Sequence, residues 1–281
     1  MEISNEVKFA DLHLHTAFSD GSYAPEGLVS EAKRVGLSAI AIVDHDTVEG
    51  IGPALEIAKA GELEVLSGIE LTAEYNNSEV HMLGYLIDYK NQELLHKLDT
   101  LKQNRVERIY RIVEKLKNEM DVSLDPESVF AIAGEGTVGR LHVARAMVKE
   151  GIIGSLFEAF QKYIGDRCPA YVAGFKLSPS EAIELIKKMG GIPVLAHPYT
   201  IGDEQVILKF IEYGLMGLEV YYPEHSQGMI NYYLNIVKKY SLLATGGSDC
   251  HGAAKPQIKI GSTKIPYELV ERLKIAKDKL G

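Results

Sequence analysis

The segment Asp11-Leu12-His13-Leu14-His15-Thr16-Ala17-Phe18-Ser19-Asp20 places two histidines two residues apart and returns a carboxylate shortly afterwards. Val7-Lys8-Phe9-Ala10 ahead of it reads as a strand. Side chains two apart on a strand leave the same face. His13 and His15 would therefore point into one pocket at the strand's end, with Asp20 on the following loop. Two imidazoles and a carboxylate facing one space are the beginning of a divalent-metal site.

Further ligand-type residues recur where strands are expected to end. Asp44-His45-Asp46 closes a second strand, Glu70 follows a third, and His81 lies early in a fourth. His197-Pro198 follows the next strand, and Asp249-Cys250-His251 the last clear one. One strand-end histidine is ordinarily a hydrogen-bonded structural residue, and a lone Glu70 or Asp249 a turn residue. The whole set in this order is not explained that way.

The elements that must position these residues alternate. Pro25 opens a helix that Gly36 closes, the expected asymmetry of helix ends. Strand Ser38–Val43, helix Ile51–Ala60, strand Glu64–Ile69 and strand Val80–Ile87 follow. Later come helix Ser178–Met189, strand Ile192–Ala196, helix Glu204–Tyr213, strand Gly217–Tyr221, helix Met229–Tyr240, strand Leu242–Thr245 and a final helix Pro266–Lys279. Such alternation implies parallel strands, and about seven of them suggest a barrel. Its C-terminal strand ends converge on one rim, where active sites of this architecture sit. Residues 93–165 break the rhythm: Leu94, Leu95, Leu98, Leu101, Val106, Ile109, Ile112, Val113 and Leu116 form a helical stripe, and helices near Val138–Lys149 and Ser155–Ile164 follow. The expected organisation is a barrel of residues 1–92 and 166–281, with 93–165 a helical insertion over the rim that caps the substrate.

With 281 residues, 46% of them apolar, the chain can bury one large core. Cys168 and Cys250 form no CxxC pair, which disfavours a disulfide framework and fits a reducing compartment. The polar, acidic start is unlike a signal peptide, and no apolar run nears the roughly 18 residues of a spanning helix. A soluble cytoplasmic protein without membrane contact is expected. The net charge of -9 argues against coating long nucleic acid. It leaves room for a small phosphorylated substrate, because divalent metals reverse the local field.

The motif set resembles that of the PHP (polymerase and histidinol phosphatase) family, matching in order as His13-Leu-His15, Asp20, His45, Glu70, His81, His197 and Asp249-Cys-His251. The resemblance implies a distorted (β/α)7, TIM-like barrel with two or three divalent ions of manganese, zinc or iron. It implies one ion held by His13, His15, Glu70 and Asp249, a second by Asp20, His45 and His251, and a third by His81 and His197 with Glu70 bridging. Asp44 and Asp46 are expected to orient His45 or cap the next turn, and Cys250 to pack.

Gly139-Arg140-Leu141-His142-Val143-Ala144-Arg145 resembles the GRxHxAR motif of a family branch of nucleotide and oligonucleotide phosphatases. Arginine binds phosphate oxygens through a planar fork, so Arg140 and His142 are expected phosphate contacts. His225, in Tyr221-Tyr222-Pro223-Glu224-His225, is an expected phosphate contact or general acid, and Lys176 a further phosphate contact. Gly134-Glu-Gly136-Thr-Val-Gly139 satisfies GxGxxG without the preceding strand that a dinucleotide site needs, and reads as a turn.

The expected reaction is hydrolysis of a phosphate ester by a metal-bridging hydroxide. Arg140 would stabilise phosphoryl charge, and His225 or His142 would protonate the leaving oxygen. A nucleoside 3′,5′-bisphosphate is the expected substrate, with 5′-phosphorylated short oligoribonucleotides as a further one. Histidinol phosphate is the alternative substrate. A C–N hydrolase on the same barrel and a non-catalytic metal-binding module are alternative classes; Arg140 counts against the first and the complete donor set against the second.

Overall fold

The computed structural model describes residues 7–59, 63–173 and 177–280. Short apolar runs form strands β1 (Phe9–Leu14), β2 (Ala39–Ile42), β3 (Glu64–Tyr75), β4 (Ser78–Tyr85), β5 (Ile192–Leu195), β6 (Gly217–Tyr221), β7 (Leu243–Gly246) and a two-residue β8 (Ile265–Pro266). They make one sheet in the order β7-β6-β5-β4-β3-β2-β1-β8. Beyond β7 a parallel bridge from Leu14 to Cys250 draws the sheet nearly closed. Every residue of β2 and β5 is buried, the continuous apolar reading of strands covered on both faces. The expected α/β barrel is present.

Helices α1 (Pro25–Arg34), α2 (Ile51–Ala58), α7 (Pro179–Lys188), α8 (Glu204–Glu212), α9 (Gln227–Lys239) and α10 (Glu268–Asp278) occur along the chain between or after strands, and α3 (Gln92–Met120), α4 (Pro126–Ala133), α5 (Arg140–Lys149) and α6 (Leu156–Lys162) fill the stretch between β4 and α7. Local chemistry sets their ends. Ser178 and Glu181 form a reciprocal capping box on α7, and Gly36 at φ +75° lets the chain leave α1.

Not all strands are parallel. β4 runs antiparallel to both β3 and β5. Asn76 and Asn77, both at positive φ, turn the β3–β4 hairpin, as asparagine does at two-residue hairpin turns. Strand β3 also extends past Glu70, so Glu70 lies within a strand. Pro266 pairs with Phe9 in β8 rather than opening the last helix, which starts at Glu268.

Helix α3 has 29 residues, about 43 Å at 1.5 Å per residue. Its first half buries Leu94, Leu98 and Leu101 in the barrel core. Its second half buries Ile109, Ile112 and Leu116 in a second core shared with α4, α5 and α6. Between the two cores the buried face carries Arg105 and Arg108, while Val106, expected on the apolar stripe, is exposed. The Gly134–Gly139 segment is a turn that docks on the loop after β1. A Cβ on Gly136 would fall 2.6 Å from the Ala17 carbonyl oxygen, and Thr137 N–H donates to the Phe18 carbonyl at 2.9 Å.

Candidate active site

The nine expected donors converge. His13 lies in β1 and His15 one residue beyond it; both are fully buried. His13 Nε2 is 3.2 Å from Glu70 Oε2 and 3.4 Å from Asp249 Oδ1. His15 Nε2 is 3.2 and 3.1 Å from the same two oxygens. A second group joins Asp20, His45 and His251, with His251 Nε2 3.1 Å from Asp20 Oδ1 and His45 Nε2 3.8 Å from Asp20 Oδ2. His15 also faces this group through Nδ1, 3.9 Å from Asp20 Oδ1. In the third, His81 Nδ1 is 2.8 Å and His197 Nε2 3.2 Å from Glu70 Oε1, and the two nitrogens are 3.2 Å apart. His45 Nδ1 approaches Glu70 Oε2 at 3.4 Å. The two oxygens of Glu70 thus serve different groups.

This donor set fits divalent cations. Donor atoms bonded at about 2.1 Å to one ion are themselves about 3.0–3.4 Å apart. Both His15 ring nitrogens, His45 Nδ1 and Asp20 Oδ1 are buried without hydrogen-bond geometry to any neighbour in the structure, a condition that costs free energy unless something else satisfies them. Burial opposes the charge on Glu70, yet His45, His13 and His81 hold its carboxyl well below the usual range. Burial likewise opposes protonation of His15, but Asp249 and Glu70 push it up to about 9. Protons and cations compete for these atoms.

Outer residues fix the rings. His13 Nδ1 donates to Glu219 Oε1 at 2.7 Å, His81 Nε2 to Glu79 Oε1 at 3.0 Å, and His251 Nδ1 to the Asp249 carbonyl at 2.8 Å. Each bond leaves the opposite nitrogen as a lone pair aimed at the cluster, the usual arrangement around ligand histidines. Strained backbone accompanies them: His197 has φ +26° and Asp249 φ +54°, conformations that persist only where surrounding contacts enforce them. Glu219 supplies one, accepting from His197 N–H at 2.8 Å. Asp11 supplies another, accepting from the backbone N–H of Ser248 and of Gly261, each at 2.8 Å.

Asp44 and Asp46 flank His45 but orient other groups. Asp44 accepts from Thr16 and Ser19, shaping the loop that carries Asp20. Asp46 accepts from Thr72 N–H and pairs with Arg105 at 2.6 Å. Cys250 is buried, its Sγ against the Ile258 carbonyl.

A cavity of 170 Å³ opens beside the cluster. Asp20, His45, His81, His251 and Lys255 border it from the barrel part of the chain, and Glu79, Arg105, Arg108 and Arg140 complete the lining toward the helices. Arg140 is already engaged: Nη2 is 3.0 Å from Glu79 Oε1 and Nη1 2.8 Å from Asp166 Oδ1. His142 accepts from Gly139 N–H through Nδ1 at 3.0 Å, capping α5, and burial pushes its pKa down to about 4. His225 does not border this cavity. Its Nδ1 donates to the Val220 carbonyl at 2.8 Å, its Nε2 is buried and unpartnered, and Tyr199, Tyr222 and Tyr233 surround its ring. Lys176 lies outside the described residues.

Sequence reasoning missed Lys255, whose Nζ is 3.2 Å from Asp249 Oδ2, and Tyr222, whose hydroxyl donates to the same oxygen at 2.9 Å. It also missed Glu79, Arg105 and Arg108. Glu79 had a usable signal: it stands two residues before His81 on one strand, hence on the same face.

A PHP domain model matches residues 11–164. The chain is 32% identical over 269 residues to the 5′-3′ exoribonuclease Rnm of Escherichia coli (strain K12), covering 93% of this chain and 91% of that one. It is 27% identical over 259 residues to the 3′,5′-nucleoside bisphosphate phosphatase of Chromobacterium violaceum, covering 90% and 91%. A solved structure from Bifidobacterium adolescentis, classed as a metal-dependent phosphoesterase, superposes with a TM-score of 0.85 at 32% identity, covering 94% of each chain. The chain belongs to the PHP domain family. Fold, donor set and full-length relatives agree on a hydrolytic, metal-dependent phosphoesterase. Among the described residues no helix is long and apolar enough to cross a membrane.

Proposed function

We propose that this enzyme hydrolyses a phosphate ester of a small nucleotide, a nucleoside 3′,5′-bisphosphate foremost, and also accepts short 5′-phosphorylated oligoribonucleotides. The observation that carries this reading is the cavity lined both by side chains of the donor cluster and by four cationic ones, Arg105, Arg108, Arg140 and Lys255. His13, His15, Glu70 and Asp249 would hold one cation; Asp20, His45 and His251 a second; His81 and His197, with Glu70 shared, a third. Divalent cations, when bound, acidify water and offset phosphoryl charge.

The chain's own groups do the rest. Residues 93–165 act as the substrate cap on a barrel of residues 1–92 and 166–281, contributing the arginine wall. Arg140 meets phosphate by trading its half-exposed Asp166 contact for a phosphoryl oxygen, a geometry its fork suits. Lys255 adds a point charge at the same opening. His225 lies off this cavity; with Nδ1–H fixed on Val220, Nε2 is its one atom left to exchange a proton, and it would serve only a substrate group that extends beyond the cavity. His142, with Nδ1 committed to the helix cap, carries its hydrogen on Nε2 and donates a hydrogen bond rather than a proton.

A substrate panel with manganese-reconstituted enzyme tests this. Turnover of 3′,5′-bisphosphate and of a 5′-phosphorylated trinucleotide is expected, each abolished without metal. Turnover of histidinol phosphate alone, or full activity in metal-free protein, would overturn it.

A further inference from the structure

The catalytic cavity is small. Small-molecule pockets usually enclose about 300–1,000 Å³, and 170 Å³ holds the reacting phosphate and little else. The downstream nucleotides of an oligonucleotide must lie outside it. A second, open groove of 590 Å³ adjoins, lined among others by Arg111, Glu114, Lys115, Arg167, Tyr171 and Val172. The partition between the two spaces is thin. Arg108 pairs with Glu79 in the cavity at 2.8 Å and donates through Nε to the Val172 carbonyl in the groove wall, also at 2.8 Å. The Tyr171 ring lies 5.7 Å from the Arg108 guanidinium and 5.5 Å from that of Arg140.

We infer that this groove is a binding track for the downstream part of a single-stranded oligonucleotide whose 5′-phosphate occupies the cavity. Cations run along α3 in one direction: Arg105 and Arg108 border the cavity, Arg111 and Lys115 the groove. At 1.5 Å per residue the run from Arg105 to Lys115 spans about 15 Å, room for about two or three phosphates of an extended strand. Lys115 is held in place by the carbonyls of Pro169 and Tyr171, at 3.2 and 3.1 Å. Arg111 shares its charge with Glu107 at 3.2 Å, and Arg167 makes no ion pair among the described residues. A positive groove with an aromatic ring beside it is the general means of holding single strands without reading sequence. The inference rests on the proposed nucleotide activity but concerns a different surface.

The test is anisotropy of a labelled, non-hydrolysable 5′-phosphorylated oligonucleotide series, two to five nucleotides long, in ribo and deoxy form, on the full-length holoenzyme. Affinity should rise from two to four nucleotides and then level off. Arg111→Ala with Arg167→Ala should weaken the four-nucleotide ligand about tenfold and lower the salt slope, which is about 0.7 per phosphate contact on single strands. Hydrolysis of 3′,5′-bisphosphate should be unchanged. Glu114→Gln should tighten binding about twofold or more, a gain that misfolding cannot produce. Length-independent binding, or variants indistinguishable from the parent, would overturn the track. Length-dependent binding without hydrolysis of any nucleotide would uphold the track and reject the proposed reaction.

Discussion

Glu79 Oε1 lies 3.0 Å from His81 Nε2 and, at the same distance, from Arg140 Nη2, so one carboxylate oxygen ties a histidine of the donor cluster to an arginine of the opposite wall. Burial opposes its charge, but Arg140 and Arg108 hold the Glu79 carboxyl well below the ordinary range. Glu79→Gln keeps the shape and removes the charge. It should lower metal affinity or kcat by about 10–100-fold, the usual cost of losing an outer partner of a ligand histidine. Metal titration and steady-state kinetics measure the two effects separately.

Because Glu70 offers one oxygen to His13 and His15 and the other to His81 and His197, its replacement should cost more metal than any other single change. Glu70→Gln is expected to lose two ions per chain and essentially all activity, and Asp20→Asn to lose one. Elemental analysis of the purified variants decides this; equal metal content in both would contradict the shared role.

Removing metal should also destabilise the protein. Without cations the carboxylates of Asp20, Glu70 and Asp249 lie together in a buried space, offset by Lys255 at Asp249 and by protons on the histidines. A ligand that binds only the folded state stabilises by mass action, about 2.7 kcal/mol at a hundredfold excess over Kd. Chelation should therefore lower Tm by several degrees as well as abolish turnover, and manganese should restore both. A Tm unaffected by chelation would speak against filled sites.

His142 predicts a pH effect on stability. Burial holds its folded pKa near 4, below the unfolded value of 6.5, so the unfolded chain takes up the proton first on acidification. Its contribution is complete above pH 6.5, declines as pH falls, and is gone below about 4; the full span is about 3 kcal/mol. Denaturation midpoints of the parent and of His142→Gln, followed from pH 7 to 4, should converge as pH falls. Parallel curves would show that His142 does not carry this dependence.

Lys255 and Tyr222 both donate to Asp249 Oδ2, leaving Oδ1 for His13 and His15. Lys255→Ala should lower kcat/KM by about 10²-fold, in the range for losing a charge-stabilising donor, with metal content retained. Tyr222→Phe removes only a hydroxyl and should cost about tenfold or less. A greater loss from Tyr222→Phe would reverse this assignment of roles.

Most of the expected donors were legible because they stand at or near the edge of an apolar run, where residue type and position speak together; Glu70 lies inside β3. Arg105 and Arg108 were not. Helical periodicity assigns charged residues to solvent, and their burial depends on Asp46 and Glu79, far away in sequence. Val106 entered the stripe for the converse reason. The antiparallel course of β4 was readable, since Tyr75-Asn76-Asn77-Ser78 leaves no room for a crossover helix and carries a hairpin signature. His142 shows the opposite limit: the motif identifies the residue, but only the bond to Gly139 N–H reveals that half its ring is spent on capping α5.

The seam of buried arginines between the two cores has a consequence for modularity. Arg105 is bonded to Asp46 beside His45, and Arg108 and Arg140 to Glu79 behind His81. Exchanging the α3–α6 region with that of a relative would transplant more than a substrate surface. It would reset the electrostatic environment of the barrel's histidines, so chimeras should inherit metal preference and substrate preference together.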